Sequence, residues 1–193
     1  MANEIVDGAG TGNRAKVDSS KRLYTNTIQS SFFEQAVLDG EAYNVNTGLL
    51  SITSSAEHSI IYLKNNEDTT LVLDAWFVGT DLSTNGATLG ILKAYYNATG
   101  GTIISGGTTI TTVNRLAGSA KLPKVTALSG GQGFTATGVG TPVLLQTQGA
   151  GSRAFGSVKL ALESGASIVI TYDPNGAETL GIYTGFQFYK SQI

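Results

Sequence analysis

"SIIYLKNNEDTTLVLDAWFVG", residues 59–79, decides the fold class. Residues 59–64 and 69–79 are rich in Ile, Leu, Val, Tyr, Trp and Phe, which suit a pleated, half-buried surface. Between them stand Asn65, Asn66, Glu67 and Asp68. Asn and Asp side chains bond their own backbone in turns, so the spacing predicts a β-hairpin. In the second strand Leu71, Leu73, Ala75 and Phe77 share one side of a period-2 ribbon, and Val72, Trp76 and Val78 the other. Apolar residues on both sides predict a central or doubly covered strand.

The same pattern extends in both directions. "EAYNVNTGLLSIT" (41–53) reads as two short strands around an Asn-Thr-Gly turn, and "TLGILKAYYNA" (88–98) as another strand. "GASIVITYDPNGAETLGIYTGFQFYK" (165–190) predicts a second hairpin, turning at Asp173-Pro174-Asn175-Gly176. Its last strand alternates, with Leu180, Ile182, Thr184, Phe186 and Phe188 on one face and Tyr183, Gln187 and Tyr189 on the other. Glycine-rich loops at 97–107, 129–140 and 148–157 separate the later strands. The best helical stretch, 30–42, is cut short by Gly40. Nine to eleven short strands with regular turns predict an all-β, jelly-roll-like antiparallel β-sandwich over 26–193, preceded by an extended N-terminal arm over 1–25.

Composition bounds the function. A chain of 193 residues buries roughly 70% of its unfolded surface and needs no staples. Charged residues make up 13% of it, and Gly, Ser and Thr roughly a third, so the polar surface is mostly hydroxyl and amide. A net charge of −2 with no basic cluster argues against nucleic acid as a partner. No apolar run reaches the ~20 residues of a membrane-spanning helix, so no membrane partner is expected. The start has no secretory-leader pattern, which predicts folding in a cytoplasm. Cysteine is absent, and with it disulfides and thiolate chemistry.

Catalytic constellations are not visible. The single histidine, His58, lies between Glu57 and Ser59. Neighbours on a strand point to opposite faces, so Glu57 and Ser59 share a side that His58 does not, and His58 reads as a surface or edge histidine. One histidine cannot anchor a zinc site, and no calcium-loop ladder is present. Neither "GAGTGN" (8–13) nor "GGQGFTATGVG" (130–140) has the lysine and hydroxyl of a phosphate-binding loop. No catalytic residue, cofactor or metal is therefore expected. Asp74, an acid inside an apolar strand, reads as an ion-paired or contact residue. Asn114 and Arg115 read as structural: the guanidinium satisfies carbonyls where a strand leaves the sheet, and the asparagine makes a turn or bulge. Tyr95, Tyr96 and Phe134 form a possible glycan-binding surface.

Taken in order, "AKVDSSKRLYTNT" (15–27), "GEAYNVNTGLLSIT" (40–53), "IIYLKNNEDTTLVLDAWFVG" (60–79), "TTVNRLAGSAK" (111–121) and "LESGASIVITYDPNGAETLGIYTGFQFYK" (162–190) resemble structural proteins of tailed-bacteriophage virions. Asn114, Arg115 and Ser119 match the mid-chain stretch, and Phe186, Phe188 and Tyr189 the terminal strand. The resemblance implies a capsid decoration or cement protein on the outer head surface, with head-spike or tail-adsorption proteins that read a host glycan as the alternative. It implies a homotrimer in contact with the major capsid protein or other virion proteins, and no catalytic residues. On that reading the arm docks on a neighbour, with Val17 and Leu23 as apolar anchors and Arg14, Lys16, Lys21 and Arg22 facing acidic groups.

Overall fold

The computed structural model describes residues 31–53, 55–81, 89–138, 142–149, 153–174 and 179–191, and three strand segments nearer the N-terminus. The chain divides into two compact units, Met1–Ser31 and Phe32–Ile193. In the first, β1 (Ile5–Val6), β2 (Arg14–Val17) and β3 (Leu23–Tyr24) pair antiparallel in the order β1-β2-β3.

The second unit runs α1 (Phe32–Leu38), β4 (Ala42–Asn46), β5 (Leu50–Ile52), β6 (His58–Asn65), β7 (Leu71–Thr80), β8 (Leu89–Tyr96), α2 (Thr102–Gly106), β9 (Thr108–Thr109), β10 (Val113–Asn114), β11 (Val125–Ser129), β12 (Pro142–Gly149), β13 (Arg153–Leu162), β14 (Ser167–Asp173) and β15 (Leu180–Lys190). Sheet one has the order β10-β4-β15-β7-β13, with β5 also on β15, and sheet two the order β12-β8-β14-β6-β11-β9. Every pairing is antiparallel.

The principal strands in chain order are β4/β5, β6, β7, β8, β12, β13, β14 and β15. Sheet one then reads first-eighth-third-sixth and sheet two fifth-fourth-seventh-second. This interleaving is that of a jelly roll. The remaining strands lie between β8 and β12: β9 and β11 widen sheet two beyond β6, and β10 widens sheet one beyond β4. The core fills the space between the sheets, with Tyr43, Phe186 and Phe188 of sheet one and Ile61, Leu92 and Tyr172 of sheet two fully buried. The inward face of β15 is the one its alternation predicts: Leu180, Ile182, Thr184, Phe186 and Phe188 are all buried.

Four expectations need correction. The stretch 59–79 is not a hairpin, because β6 belongs to sheet two and β7 to sheet one. Asn65 turns the chain from one sheet to the other. Its side-chain amide donates to the carbonyls of Thr69 (2.8 Å) and Leu162 (2.9 Å), and its Oδ1 accepts the Glu67 amide at 2.8 Å. The 165–190 stretch crosses between sheets in the same way, from β14 to β15. Nor do β4 and β5 pair with each other: both lie along β15, β4 on Gly185–Tyr189 and β5 on Leu180–Ile182. Lastly, β7 is apolar on both faces and paired on both sides, but its residues are sorted differently, with Val72, Ala75 and Phe77 on the outer face. The register shifts at Asp74 against both β13 and β15, a bulge that puts Leu71, Leu73, Trp76 and Val78 together in the core.

Three further differences concern loops and counts. Among the described residues unit two has twelve strands, one more than the upper end of the expected range, and β9 and β10 are only two residues long. Residues 148–157 are largely strand, shared by β12 and β13, and the 97–107 loop holds α2. Helix α1 does stop at Gly40, whose φ of 69° supplies the left-handed cap. On the outer face of sheet one, Gly185 lies under the Phe77 ring, and a Cβ there would come within 2.3 Å of the Val45 carbonyl oxygen.

Candidate functional site

Two places on unit two gather side chains that a folded core does not require. The first is the edge of sheet one formed by α1, β10 and the loop that follows. Asn114 holds it together: its amide donates to the carbonyls of Gly40 (2.8 Å) and Lys121 (2.9 Å), and its Oδ1 accepts the Leu116 amide at 2.8 Å. Asn114 thus does the carbonyl pairing that sequence reasoning gave to Arg115. Arg115 is exposed; it donates to Asn44 Oδ1 at 3.2 Å, and its guanidinium lies 5.4 Å from the centre of the Phe33 ring. Phe33 in turn meets Tyr189 edge-on at 6.0 Å. Lys121 caps α1 through the Asp39 carbonyl (2.8 Å) and lies 3.5 Å from Glu41.

Around these polar pins the edge is apolar and open. Phe32 and Leu38 of α1, Val113 of β10, and Leu116 and Leu122 of the loop are between 37% and 70% exposed. They make five of the six large exposed apolar side chains among the described residues, the sixth being Leu49. Sequence reasoning missed this edge. "VNRLAGSAKLP" carries only three apolar residues of size, and their meeting with α1 depends on β10 pairing with β4, some 70 residues earlier.

The second place is the outer face of sheet two. Ser59 of β6, Thr171 of β14 and Lys93 of β8 stand in one row across three strands. The next row is Tyr62, Val169 and Tyr95. Residues 130–136 close over both. The Phe134 carbonyl accepts the Ser59 amide (2.8 Å), and the amides of Gly130 and Gly131 donate to Ile60 (2.8 Å) and Ser59 (3.0 Å). Beneath them Ile103 of α2, Leu128, Tyr62 and Val169 form a small apolar cluster, against which Tyr95, Phe134 and Ala136 pack.

A cavity of about 200 Å³ remains between the polar row and this strap, lined by Glu57, Ser59, Tyr95, Thr135, Ala136 and Thr171. Lys93 Nζ lies 2.7 Å from Glu57 Oε2 and 3.1 Å from Asp173 Oδ2, and the Thr171 hydroxyl donates to Glu57 Oε1. Burial alone would pull the Lys93 ammonium down, but the two carboxylates outweigh it and hold it above the ordinary lysine value. Burial, then the Glu57 charge, pushes the Tyr95 phenol up. Ser59 Oγ is fully buried and has no hydrogen-bond partner.

Tyr95 and Phe134 therefore share this face, but Tyr96 does not. It points the other way, packs against the main core and borders a separate cavity with Asn97, Ala161, Leu162, Glu163 and Ala166. His58 is a correction: it is 3% exposed and lies on an inner strand of its sheet, with Nδ1 accepting the Gly133 amide at 3.1 Å. The alternation argument does hold for its neighbours, since Glu57 and Ser59 line one cavity. Asp74 pairs with Lys159 at 3.1 Å across the β7 bulge. In the first unit, Arg14, Lys16 and Val17 belong to β2 and Leu23 to β3, while Lys21 and Arg22 lie outside the described residues. Among the described residues no three His, Asp or Glu side chains are grouped to hold a metal, and no helix is long and apolar enough to cross a membrane.

Fold and surface together define a jelly-roll β-sandwich with an open apolar edge and a small polar cavity. No family model matches the chain, and no curated protein matches it. Among solved structures it is distantly similar to the D431N mutant VP2 protein of infectious bursal disease virus in derived T=1 particles. The TM-score is 0.23 at 9% identity, over 77% of this chain and 39% of that one. A VP2 subviral particle of the same virus gives a TM-score of 0.22 at 12% identity, over 77% and 41%. The Gt strain structure gives 0.25 at 11%, over 96% and 50%. The chain thus spans between about two-fifths and half of the length of these structures, and likeness at this level carries no argument about function.

Proposed function

We propose that the chain is a non-enzymatic structural protein of a virion, a decoration or cement protein on the outer surface of a phage head, self-associated as a trimer. The observation that carries this reading is the apolar edge of Phe32, Leu38, Val113, Leu116 and Leu122. Soluble monomers rarely leave a broad apolar patch uncovered, and a patch rimmed by polar groups marks a protein contact. The rim here has both signs of charge, with Arg115 and Lys121 beside Glu41, which suits a second copy of the same surface better than a strongly charged partner. Jelly rolls serve viral shells but also lectins and cupins, so the fold admits the role without dictating it. The resemblance of the sequence to tailed-phage virion proteins points the same way.

Such a protein works by burial rather than reaction. A specific interface covers on the order of 1,600 Å², and a ligand that binds only the assembled shell stabilises it by mass action. The N-terminal unit, with Val17 and Leu23 as anchors and its four basic residues facing acidic neighbours, is the second contact, made to the major capsid protein. Electron cryomicroscopy of particles carrying the chain tests this. We expect trimeric jelly-roll density on the outside of the head, and a chain lacking residues 1–24 that folds but loses occupancy. Absence from the head would overturn the assignment, and full occupancy by the truncated chain would overturn the role of the arm.

A further inference from the structure

The turn at residues 131–134, beside the start of β6, supports an inference that does not depend on assembly. We infer that His58 is an acid-sensitive latch: its neutral ring holds this turn against β6, and a proton on Nδ1 releases the turn from the apolar cluster that Phe134 covers.

The latch is one hydrogen bond with a fixed direction. The Gly133 amide can only donate, and His58 Nδ1 accepts it at 3.1 Å. The bond lasts only while Nδ1 keeps its lone pair, so the closed ring is neutral with its proton on Nε2. That Nε2 is buried without a partner, in a side chain that is 3% exposed. Protonation makes both nitrogens donors. The Gly133 N–H then faces another N–H, and a buried cation has no acceptor at either end. Lifting the turn lets water reach both nitrogens.

The turn can move while the sheet stays. It closes on itself, with the Phe134 amide donating to the Gly131 carbonyl at 3.2 Å and Gly133 at a φ of 81°. Two backbone bonds tie it to β6, from the Ser59 amide to the Phe134 carbonyl and from the Gly131 amide to the Ser59 carbonyl. Strand β6 itself is held on both sides by β14 and β11. Phe134 packs on the cluster of Tyr62, Ile103, Leu128 and Val169, so release of the turn uncovers apolar surface.

Burial, and no neighbouring charge, sets the proton affinity of the ring. Alternation puts His58 on the side of β6 opposite Glu57. Glu57 pairs with Lys93, and Lys93 with Asp173 of β14, on the outer face. Tyr172, opposite His58 in the β6–β14 register, brings a phenol. The turn, α2, β5 and β11 carry no titratable side chain. On β15, Tyr183 and Tyr189 lie on the outer face of sheet one, and Lys190 pairs with Glu67. Burial holds the closed ring below the ordinary value of 6.5, and a lifted turn restores that value. The open form therefore takes the proton first as pH falls below 6.5, and acid favours opening.

Amide hydrogen exchange of the full chain, followed by NMR and corrected for the intrinsic effect of pH, tests the latch. Protection of the Ser59, Gly131 and Gly133 amides should fall about tenfold between pH 7.5 and 5.5, the limit for a closed ring that stays neutral there. At each pH these amides should exchange faster than those of Leu63 and Ile170, which report opening of the sheet. His58→Asn places an amide oxygen near the position of Nδ1 and cannot titrate, so protection in that variant should not change with pH. A flat profile in the native chain would overturn the inference by itself, whatever the variant does. Exchange of the turn no faster than that of Leu63 and Ile170, or the same pH dependence in His58→Asn, would overturn it as well.

Discussion

His58 shows how much a single residue depends on contacts far along the chain. Its Nδ1 accepts the Gly133 amide, so the ring proton sits on Nε2, which is buried without a partner. Burial therefore pushes its pKa below the ordinary value of 6.5. The unfolded chain takes up the proton first as pH falls, so stability is full above pH 6.5 and declines below it, towards the lower folded value. Ordinary carboxylates stay largely ionised between pH 6.5 and 5.5 and leave that window to His58. The melting temperature should fall across it, and His58→Gln should flatten the slope; equal slopes for both proteins would contradict the assignment. Alternation along the strand was enough to put Glu57 and Ser59 on one side. The burial of His58 was not legible, because the residue that covers it is 75 positions away.

At the scale of elements, the turn after β6 was legible and its consequence was not, while Asn175 and Gly176 of the turn expected after β14 lie outside the described residues. Asn65 to Asp68 do form a turn, but the same residues suit a hairpin within one sheet and an arch between two. The choice is made by pairing: β6 is taken on both sides, by β14 and β11, so the chain must leave for the other sheet. The Asn65 side chain then serves three backbone groups at the corner. Asn65→Ala strips partners from buried polar groups and should cost roughly 2–4 kcal/mol in urea unfolding, with an unchanged m-value. A cost within about 0.5 kcal/mol, typical of a surface substitution, would show that the arch does not depend on it. The bulge at Asp74 was hidden for a related reason. A single extra residue against β15 moves Trp76 and Val78 onto the face of Leu71 and Leu73 and leaves Val72, Ala75 and Phe77 on the other, and only the register reveals it.

For the whole molecule, short apolar strands and frequent turns were sufficient for an all-β sandwich, and the strand order makes it a jelly roll. What the sequence could not show is what antiparallel register assembles from distant segments. The row Ser59–Thr171–Lys93 joins three strands, and the apolar edge joins α1 to a loop some 80 residues later. Lys93 offered a faint signal as the one charge inside "LGILKAYY", but nothing near it names its partners. The central claim is that this chain acts by associating through that edge. Sedimentation equilibrium of the full chain, beside a Val113→Asp/Leu122→Glu double variant, tests it most directly. The account predicts a trimer for the native chain at about 10 μM and a monomer of unchanged melting temperature for the variant, since exposed substitutions of this kind leave stability within about 0.5 kcal/mol. A native chain that stays monomeric at that concentration, or a variant that still forms trimers, would contradict it.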